Sequence, residues 1–397
     1  MVGMLVFISD LHLRPGAAAR LPRSEQLTRF WQRIEHSRRG ERVTLCFVGD
    51  LFDVVRSEDW ARSPLRPYHA PDAPLAAAVD QLIARTLESE APFFSALKRR
   101  VDSGELDIQY IVGNHDRLLH HAPAARARIR AALGMAGGDA PFPTELRFPE
   151  HGVLAYHGHV VDPLCFDPDG GAPLSDMIAS ELIIRFPHEI RRTLEVDHPH
   201  LDDIDDVRPI TAVPTWVRTL TRRGDLSTRD QVARVWSGLV EDFLGNGHVK
   251  DWFKDHHRKF RVDFPQKVKL LLALSTRRRS GDDSKLSALS ELVFRLMDVK
   301  FAKAGLKTLE RSENRGLRYV VNGHTHFAGM RPLGMLGGKP GCYFNVGTWR
   351  PLHQLGSLSP GKPAFLASDA MAYLVFFPKG DPLHRQLEWW QGAAVTE

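Results

Sequence analysis

The chain has 397 residues, of which 43% are hydrophobic and 25% charged, and its formal net charge is +5. This composition is that of a globular protein with a substantial core, and we find no apolar run of the about 18 residues that a membrane-spanning helix needs. The N-terminal residues lack the basic segment of a signal peptide. Three widely spaced cysteines indicate neither a disulfide framework nor a cysteine metal site, so we expect a cytoplasmic protein.

The first 160 residues alternate short apolar runs with helical stretches. The apolar runs predict strands at Met4–Ile8, Val43–Val48, 108–112 and Val153–Tyr156. Between them, helices are predicted at about 25–38, 75–101 and 121–133. The strand pattern returns near the C-terminus at 318–321, 342–346, 372–377 and 386–390. This alternation predicts an α/β fold, an α+β sandwich with helices on the faces of its sheets.

The middle of the chain, residues 163–315, shows little strand pattern. Apolar residues recur there at helical spacing, at Leu286, Leu289, Leu292, Leu296 and Val299. Four aspartates between positions 202 and 206 form an acidic loop. We therefore predict a helical insertion at 163–315, a cap or lid, on a catalytic core made of residues 1–162 and 316–397.

Residues 250–280 within this insertion are strongly basic, with 10 Lys or Arg against 3 Asp, and aromatic residues are interleaved with them. One interpretation is an amphipathic helical pair with a solvated charged face. A second is a lid for an anionic, lipid-linked substrate, with peripheral contact to the inner membrane. A third is a surface that faces nucleic acid.

Side chains that bind metals follow five of the predicted strands. The segments are Ser9-Asp10-Leu11-His12, Gly49-Asp50, Gly113-Asn114-His115-Asp116, His157-Gly158-His159 and Gly323-His324-Thr325-His326. Because the carboxyl ends of strands in an open α/β sheet meet at one crevice, we expect these side chains to converge. Carboxylate, amide and imidazole ligands suit manganese, iron or zinc.

The spacing within these segments also matters. In the D-x-H and H-x-H segments, alternate residues of an extended chain point to the same side, so both ligands of each pair face the site. A glycine precedes Asp50, Asn114 and His324, and it permits the backbone conformations of a sharp exit from a strand.

The five motifs D-x-H, G-D-x-x-D, G-N-H-D, H-G-H and G-H-x-H, in this order, resemble the calcineurin-like metallophosphoesterase superfamily. The resemblance implies a phosphoesterase with two divalent metal ions, with manganese expected and iron or zinc as alternatives. One ion would be held by Asp10, His12 and His326, the other by Asn114, His157 and His324, and Asp50 would bridge both. His157 and His159 compete for one ligand position, and His157 matches the superfamily motif.

The resemblance also implies roles for residues that bind no metal. A metal-bridging hydroxide would attack phosphorus, and His115 would protonate the leaving group or clamp the phosphate. Asp116 would orient His115 through a hydrogen bond, with a helix cap as the alternative. Arg14 and His159 are candidate substrate contacts, and Asp53 is a supporting residue or a helix cap.

The opening ISDLHL, the GDLFD motif, the helical insertion and the closing Val346–Trp349 segment resemble the UDP-2,3-diacylglucosamine pyrophosphohydrolases, which hold acyl chains under a helical lid. Two features depart from that pattern: His115 stands where the better-known branch has arginine, and the insertion is much longer. The alternatives are an SbcD-type DNA nuclease, another phosphatase, and a non-catalytic binding scaffold. The phosphorylated substrate would accordingly be lipid-linked, or a nucleic acid.

Overall fold

The computed structural model describes residues 3–15, 24–194, 200–223, 226–256, 264–276, 286, 290, 299–356 and 364–395. In this part of the chain, two mixed β-sheets pack together and helices flank them. The strands are β1 Met4–Ile8, β2 Val43–Val48, β3 Leu106–Ile111, β4 Glu145–Phe148, β5 Val153–Tyr156, β6 Val207–Arg208, β7 Tyr319–Asn322, β8 Ala328–Leu336, β9 Lys339–Val346, β10 Pro351–Gly356, β11 Ala364–Phe376 and β12 Leu387–Val395.

The first sheet has the order β3-β2-β1-β11-β10-β6, with β12 paired to β11. Strands β1, β2 and β3 run parallel, whereas β1 and β11 are antiparallel. The second sheet has the order β4-β5-β7-β9-β8, with β5, β7 and β9 parallel. The parallel strands of both sheets end close together, which is where the predicted metal ligands follow.

Strand β1 is apolar throughout because both of its faces are buried. Leu5 and Phe7 pack between the two sheets, and the Phe7 ring lies 5.5 Å from that of Phe148 and 5.9 Å from that of Phe376. The alternate residues, including Val6, pack against the helices on the other face. Since each such apolar side chain stabilises by about 1.5–3 kcal/mol when buried, this strand anchors the sandwich.

The helices in the described residues are α1 Ser24–Arg38, α2 Asp59–Arg62, α3 Ala73–Ser89, α4 Ala91–Asp102, α5 Pro123–Leu133, α6 Leu174–Ile178, α7 Arg185–Leu194, α8 Val213–Arg223, α9 Leu226–Gly245, α10 Gly247–Asp255 and α11 Phe264–Ser275. A π-helical turn, Ala179–Ile184, joins α6 to α7, and residues 299–309 are also helical. None of the described helices combines the length and apolar character that crossing a bilayer requires.

Within the described residues of 163–315, the structure is mostly helical, as predicted. Helices α6–α11 share an apolar cluster that includes Phe186, Trp216, Trp236 and Phe243. The exception is β6, which extends the first sheet beside β10. Of the predicted helical repeat, Leu286 is fully buried and Val299 is 41% exposed, while Leu289, Leu292 and Leu296 lie outside the described residues.

The basic 250–280 block includes α10 and α11, while residues 257–263 and 277–280 lie outside the described part. In α11, Val268 and Leu272 pack into the apolar cluster of the insertion, Leu271 is buried beside the small cavity there, and Leu270 is 49% exposed. Most of the apolar run of this helix is therefore part of the insertion's own core.

Two secondary-structure predictions were wrong in detail. The helix predicted at 75–101 is two helices, α3 and α4, that meet at Glu90. Pro92 explains the break, because it cannot donate the backbone hydrogen bond that would continue α3. The prediction also missed β4, β8 and β10. Strand β8 is a sheet edge whose residues are exposed or only partly buried, so it lacks the alternation that marks a half-buried strand.

Candidate metal centre

The predicted ligands sit in strained turns. Five of the seven have positive φ angles: Asp10 56°, His12 50°, Asp50 50°, His324 74° and His326 64°. The left-handed region is uncommon for residues other than glycine, and strained backbone clusters at functional sites. The D-x-H and H-x-H pairs therefore converge through left-handed turns, and not through the strand alternation that we expected.

Backbone hydrogen bonds between the turns hold this conformation. The amide of Asp10 donates to Gly49 O at 3.2 Å, and the amide of His12 donates to Asp50 O at 2.9 Å. Backbone hydrogen bonds alone therefore hold the D-x-H segment against the G-D-x-x-D segment.

The glycines before the ligands serve two different purposes. Gly49 has a φ of +87°, so the conformational reason given by the sequence holds there. Gly113 and Gly323 have no such angle; instead, a Cβ at Gly113 would overlap Asp50 Oδ1 and one at Gly323 would overlap Asp10 Oδ2. These two glycines provide space for the carboxylates.

The first cluster of candidate ligands consists of Asp10, His12 and His326, all buried. The two Nε2 atoms of His12 and His326 are 2.9 Å apart, and Asp10 Oδ1 lies 3.6 Å from the first and 3.3 Å from the second. Asp10 Oδ2 accepts the backbone N–H of His324 at 2.9 Å. Its other oxygen, Oδ1, is buried and has no hydrogen-bond partner, so its lone pairs are available to a cation.

The second cluster consists of Asn114, His157 and His324. Asn114 Oδ1 lies 3.1 Å from His157 Nε2 and 3.0 Å from His324 Nδ1. His157 Nδ1 donates to Val48 O at 2.7 Å, which leaves Nε2 facing the amide oxygen. Nε2 can donate a proton to that oxygen or, when deprotonated, offer its lone pair to a cation that both atoms share.

Asp50 lies between the two clusters. Its Oδ2 is 3.1 Å from His157 Nε2 and 3.9 Å from His12 Nε2, and its Oδ1 accepts the backbone N–H of His115 at 2.8 Å. Candidate ligand atoms of Asp10, Asp50 and His157 all lie within 4.8 Å of one another. Asp50 is therefore placed where a bridging carboxylate would be.

The spacing of these atoms fits cations. Metal–ligand bonds of about 2.1 Å place neighbouring ligand atoms about 3.0 Å apart at right angles and about 3.4 Å apart at the tetrahedral angle. The separations within the two clusters run from 2.9 to 3.6 Å. The structure thus brings all seven predicted ligands together in two groups that suit divalent ions.

Supporting groups fix the second nitrogen of several imidazoles. Asp162 Oδ2 lies 3.1 Å from His324 Nε2, and Val48 O accepts from His157 Nδ1 at 2.7 Å. The atom nearest to His12 Nδ1 is Arg56 NH2 at 2.9 Å, with Asp53 Oδ2 at 3.3 Å. Such partners set the tautomer and orientation of a metal-binding histidine. No motif in the sequence indicated a role for Asp162.

Electrostatics in the buried cluster favour ionised carboxylates. Burial alone would raise the pKa of Asp50, but the charges of His157 and His115 outweigh it and hold the pKa well below its ordinary value. Burial would likewise lower the pKa of His157, yet the charges of Asp50 and Asp10 raise it to about 9. Positive charge is drawn to this site, whether as protons or as metal ions.

The residue that orients His115 is Asp53, not Asp116. His115 Nδ1 donates to Asp53 Oδ1 at 2.7 Å. Asp116 instead accepts backbone N–H groups of Phe52 at 3.0 Å and Gly113 at 3.2 Å. Burial and the charge of Asp50 raise the pKa of Asp116 to about 7. Asp116 therefore braces the turns, and it makes no side-chain cap on the helical turn that follows it.

Arg14 and His159 were predicted as substrate contacts. Arg14 is buried, pairs with Asp205 at 2.7 Å and donates to Arg56 O at 2.5 Å, so it lies behind the ligands. His159 lies against His157, with 5.5 Å between ring centroids, and its Nδ1 has no hydrogen-bond partner. His159 lines a groove of about 520 Å³ beside the second cluster.

A second cavity, of about 140 Å³, opens directly onto the ligands. One wall carries Asp50, Asn114, His324 and His326. The rest of the lining combines polar side chains, among them Arg56, Asp162, Ser175 and Arg208, with apolar ones that come largely from the insertion and its flanks: Leu164, Ile178, Ala179, Ile210, Phe301 and Phe327. A smaller apolar cavity of about 30 Å³ continues between the insertion helices and shares Leu164, Ile178, Ile210 and Thr211 with it.

Behind the first cluster, a network of buried arginines and aspartates was missed by sequence reasoning. Asp205 pairs with Arg14, with Arg56 at 2.7 Å and with Arg350 at 3.4 Å. Arg56 in turn pairs with Asp53 at 2.7 Å. The acidic loop was visible in the sequence, but nothing local indicated that it would be buried against the site.

No protein-family profile matches the chain, and no curated protein sequence does. The geometry of the site therefore carries the functional interpretation.

Proposed function

We propose that the protein is a dinuclear metal-dependent phosphoesterase with a core of the calcineurin-like metallophosphoesterase type. The observation that supports this most is the position of Asp50 between two groups of buried ligand atoms at cation spacing. A binding scaffold that holds no metal ions would not be stabilised by two aspartates and four imidazoles buried so close together. Such groups are costly to remove from water unless an opposite charge lies beside them.

Asp10, His12 and His326 would hold one ion, Asn114, His157 and His324 the other, and Asp50 both. Manganese, iron and zinc all suit these ligands. Such a pair of ions supplies Lewis acidity, which activates water and neutralises charge on the phosphoryl group.

His115 is the group of this chain best placed for proton transfer. Its ring lies 4.7 Å from that of His12, and the His115 side chain is partly exposed. Asp53 holds Nδ1, so Nε2 remains for the substrate and can carry a proton to the leaving-group oxygen.

A phosphodiester or pyrophosphate with an acyl-bearing group is the substrate class that the cavity favours. The apolar wall of the insertion faces the ligands and continues into the smaller apolar cavity. An acyl group would bury apolar surface against these residues. A pyrophosphate bond of a nucleotide-sugar lipid is the specific proposal, and membrane contact through residues 250–280 stays a prediction.

Metal content and hydrolysis of an aryl phosphodiester test the proposed activity. The purified protein should bind about two Mn²⁺ per chain and hydrolyse bis-p-nitrophenyl phosphate, and Asp50→Ala should lose both ions and the activity, because one carboxylate serves both sites. Asp80→Ala, which removes a partly exposed carboxylate paired with the exposed Arg128, is the control. Full metal occupancy in Asp50→Ala would contradict the bridging role, and a wild-type protein without metal would support the scaffold alternative.

A substrate panel and one cavity variant test the acyl-bearing substrate. With Mn²⁺, nucleotide-sugar lipids should be cleaved faster than single-stranded or duplex DNA, phosphomonoesters and cyclic nucleotides. Ala179→Phe, which fills the cavity wall, should impair the lipid substrate at least tenfold while sparing the aryl diester. Equal losses on both substrates would indicate general damage, and preferential cleavage of DNA would favour the nuclease.

A further inference from the structure

Arg208 lies at the end of β6, the short strand by which the insertion joins the first sheet. Val207 and Arg208 pair in parallel with His353 and Gln354 of β10. This register carries the Arg208 side chain into the 140 Å³ cavity, where it is one of the lining residues together with Asp50 and His326. Only 9% of the residue is exposed.

The partners of Arg208 differ from those of its neighbours. Arg14, Arg56 and Arg350 each pair with a buried carboxylate. The Arg208 NH1 group donates to two backbone carbonyls, Asp205 O and Val207 O, each at 2.9 Å. Within the described part of the chain, Arg208 has no ion pair with a carboxylate.

The remaining nitrogen of Arg208 faces a metal ligand. Its NH2 lies 3.3 Å from Nε2 of His326, the atom that belongs to the first ligand cluster. If that lone pair binds a cation, it no longer accepts a hydrogen bond from the guanidinium. The NH2 group then needs a new acceptor, since a buried donor without a partner is unfavourable.

We propose that Arg208 is the anion-binding residue of the site, whose NH2 group donates to a non-bridging phosphoryl oxygen of the substrate beside His326. This rests on the proposed phosphoesterase function, and it names the insertion as a direct part of the active site. A guanidinium is well suited to this task, because it offers planar donors to phosphate and stays charged.

The Arg208 guanidinium is already held in place before an anion binds, which is what stabilisation of the substrate's negative charge requires. The two carbonyl bonds of NH1 fix the guanidinium, so little ordering is needed when the anion arrives. Burial and the neighbouring charge of Arg56 lower the pKa of Arg208 to about 10, which still leaves the side chain protonated at neutral pH.

Binding of inorganic phosphate to the Mn²⁺-loaded full-length protein tests the proposal without relying on turnover. Isothermal titration calorimetry should show a dissociation constant at least tenfold higher for Arg208→Gln than for wild type, with unchanged Mn²⁺ content and unfolding temperature. Arg208→Lys should recover part of the affinity, because it keeps the charge. Arg192→Gln makes the same change on an exposed arginine of the insertion and should match wild type.

Two results would overturn the role of Arg208. One is wild-type phosphate affinity in Arg208→Gln. The other is loss of Mn²⁺ from that variant, which would make Arg208 a support for His326. A wild-type protein that binds Mn²⁺ and phosphate but cleaves no phosphoester would contradict the proposed function, while a weaker phosphate affinity of Arg208→Gln would still support the anion-binding role.

Discussion

Asp53 connects the candidate acid to the metal ligands at the scale of single residues. Its two oxygens contact His115 Nδ1 at 2.7 Å, His12 Nδ1 at 3.3 Å and Arg56 Nε at 2.7 Å. Burial would raise its pKa, but Arg56 and His115 hold the pKa well below the ordinary value. Asp53 is thus an ionised carboxylate that positions the His115 imidazole and lies beside that of His12.

Replacing Asp53 should affect catalysis in the same way as replacing His115. We expect Asp53→Asn to lower kcat 10–100-fold, an order of magnitude typical of groups that orient active-site histidines. The loss should be larger for alkyl phosphoesters, whose leaving group needs a proton, than for p-nitrophenyl esters. Steady-state kinetics on both substrate types measure the difference.

Asp116→Asn provides the comparison for Asp53→Asn. It should lower the free energy of unfolding by about 1–3 kcal/mol, because Asp116 accepts two buried backbone N–H groups. The ratio of rates on the two substrate types should stay at the wild-type value. A changed ratio in Asp116→Asn, with none in Asp53→Asn, would restore the role that the sequence assigned to Asp116.

That the seven candidate ligands would lie close together could be predicted from the order of the motifs, but which aspartate contacts His115 could not. Asp53 and Asp116 both follow a strand end by a few residues, and both are fully buried. The choice between the two carboxylates depends on the left-handed turns at Asp10, His12 and Asp50. The periodicity of apolar residues does not predict turns of this kind.

At the scale of elements, the strand-to-turn junctions are so crowded that they leave no room for a Cβ. We expect Gly113→Ala to weaken Mn²⁺ binding and to lower the free energy of unfolding by about 1–3 kcal/mol, since the new methyl group would overlap Asp50 Oδ1. Metal analysis and urea unfolding of the variant measure the two effects.

Gly238→Ala is the matched control for Gly113→Ala. Gly238 is exposed in α9, and a Cβ there would meet nothing within 4 Å. Alanine should raise the free energy of unfolding by about 0.5–1 kcal/mol there, because it restricts the unfolded chain and favours the helix. Intact Mn²⁺ binding in Gly113→Ala would show that the junction adjusts and that its crowding is unimportant.

Element prediction succeeded where burial imposes a pattern. Strands β1, β2 and β5 match the predicted bounds, because their continuous apolar runs follow from burial on both faces. It failed at β8, which lies at a sheet edge, and at β6, whose two residues are too few to show any period.

At the scale of the whole molecule, the insertion and the core are joined by charge as well as by strand pairing. Asp205 of the insertion faces Arg14 and Arg56 of the N-terminal part and Arg350 of the C-terminal part. The helical character of the insertion could be predicted, but this contact could not, because its partners are separated by well over a hundred residues and only the fold brings them together.

Removing the Asp205 charge should therefore lower the stability of the folded chain. Asp205→Asn would remove one carboxylate shared by three buried guanidinium groups, of which Arg56 keeps Asp53 and Arg350 keeps Asp206. We expect the free energy of unfolding to fall by about 3 kcal/mol at pH 7, the lower end of the cost of breaking a buried ion pair. Asp202→Asn alters the same acidic segment but removes a partly exposed pair with Arg191, so its cost should stay below about 1 kcal/mol. Urea unfolding of the metal-free proteins compares the two.

The difference between wild type and Asp205→Asn should depend on pH in a defined direction. Burial alone would raise the pKa of Asp205, but the charges of Arg14, Arg56 and Arg350 hold it below the ordinary value. The stabilisation is then fully present above the pKa of an unfolded aspartate, about 3.9, and declines as the pH falls below it toward the lower folded value. Unfolding at pH 7, 5 and 3 should give equal differences at the first two and a smaller one at the third. A difference that grows on acidification would mean that Asp205 is protonated in the fold and that its arginine neighbours do not stabilise its charge.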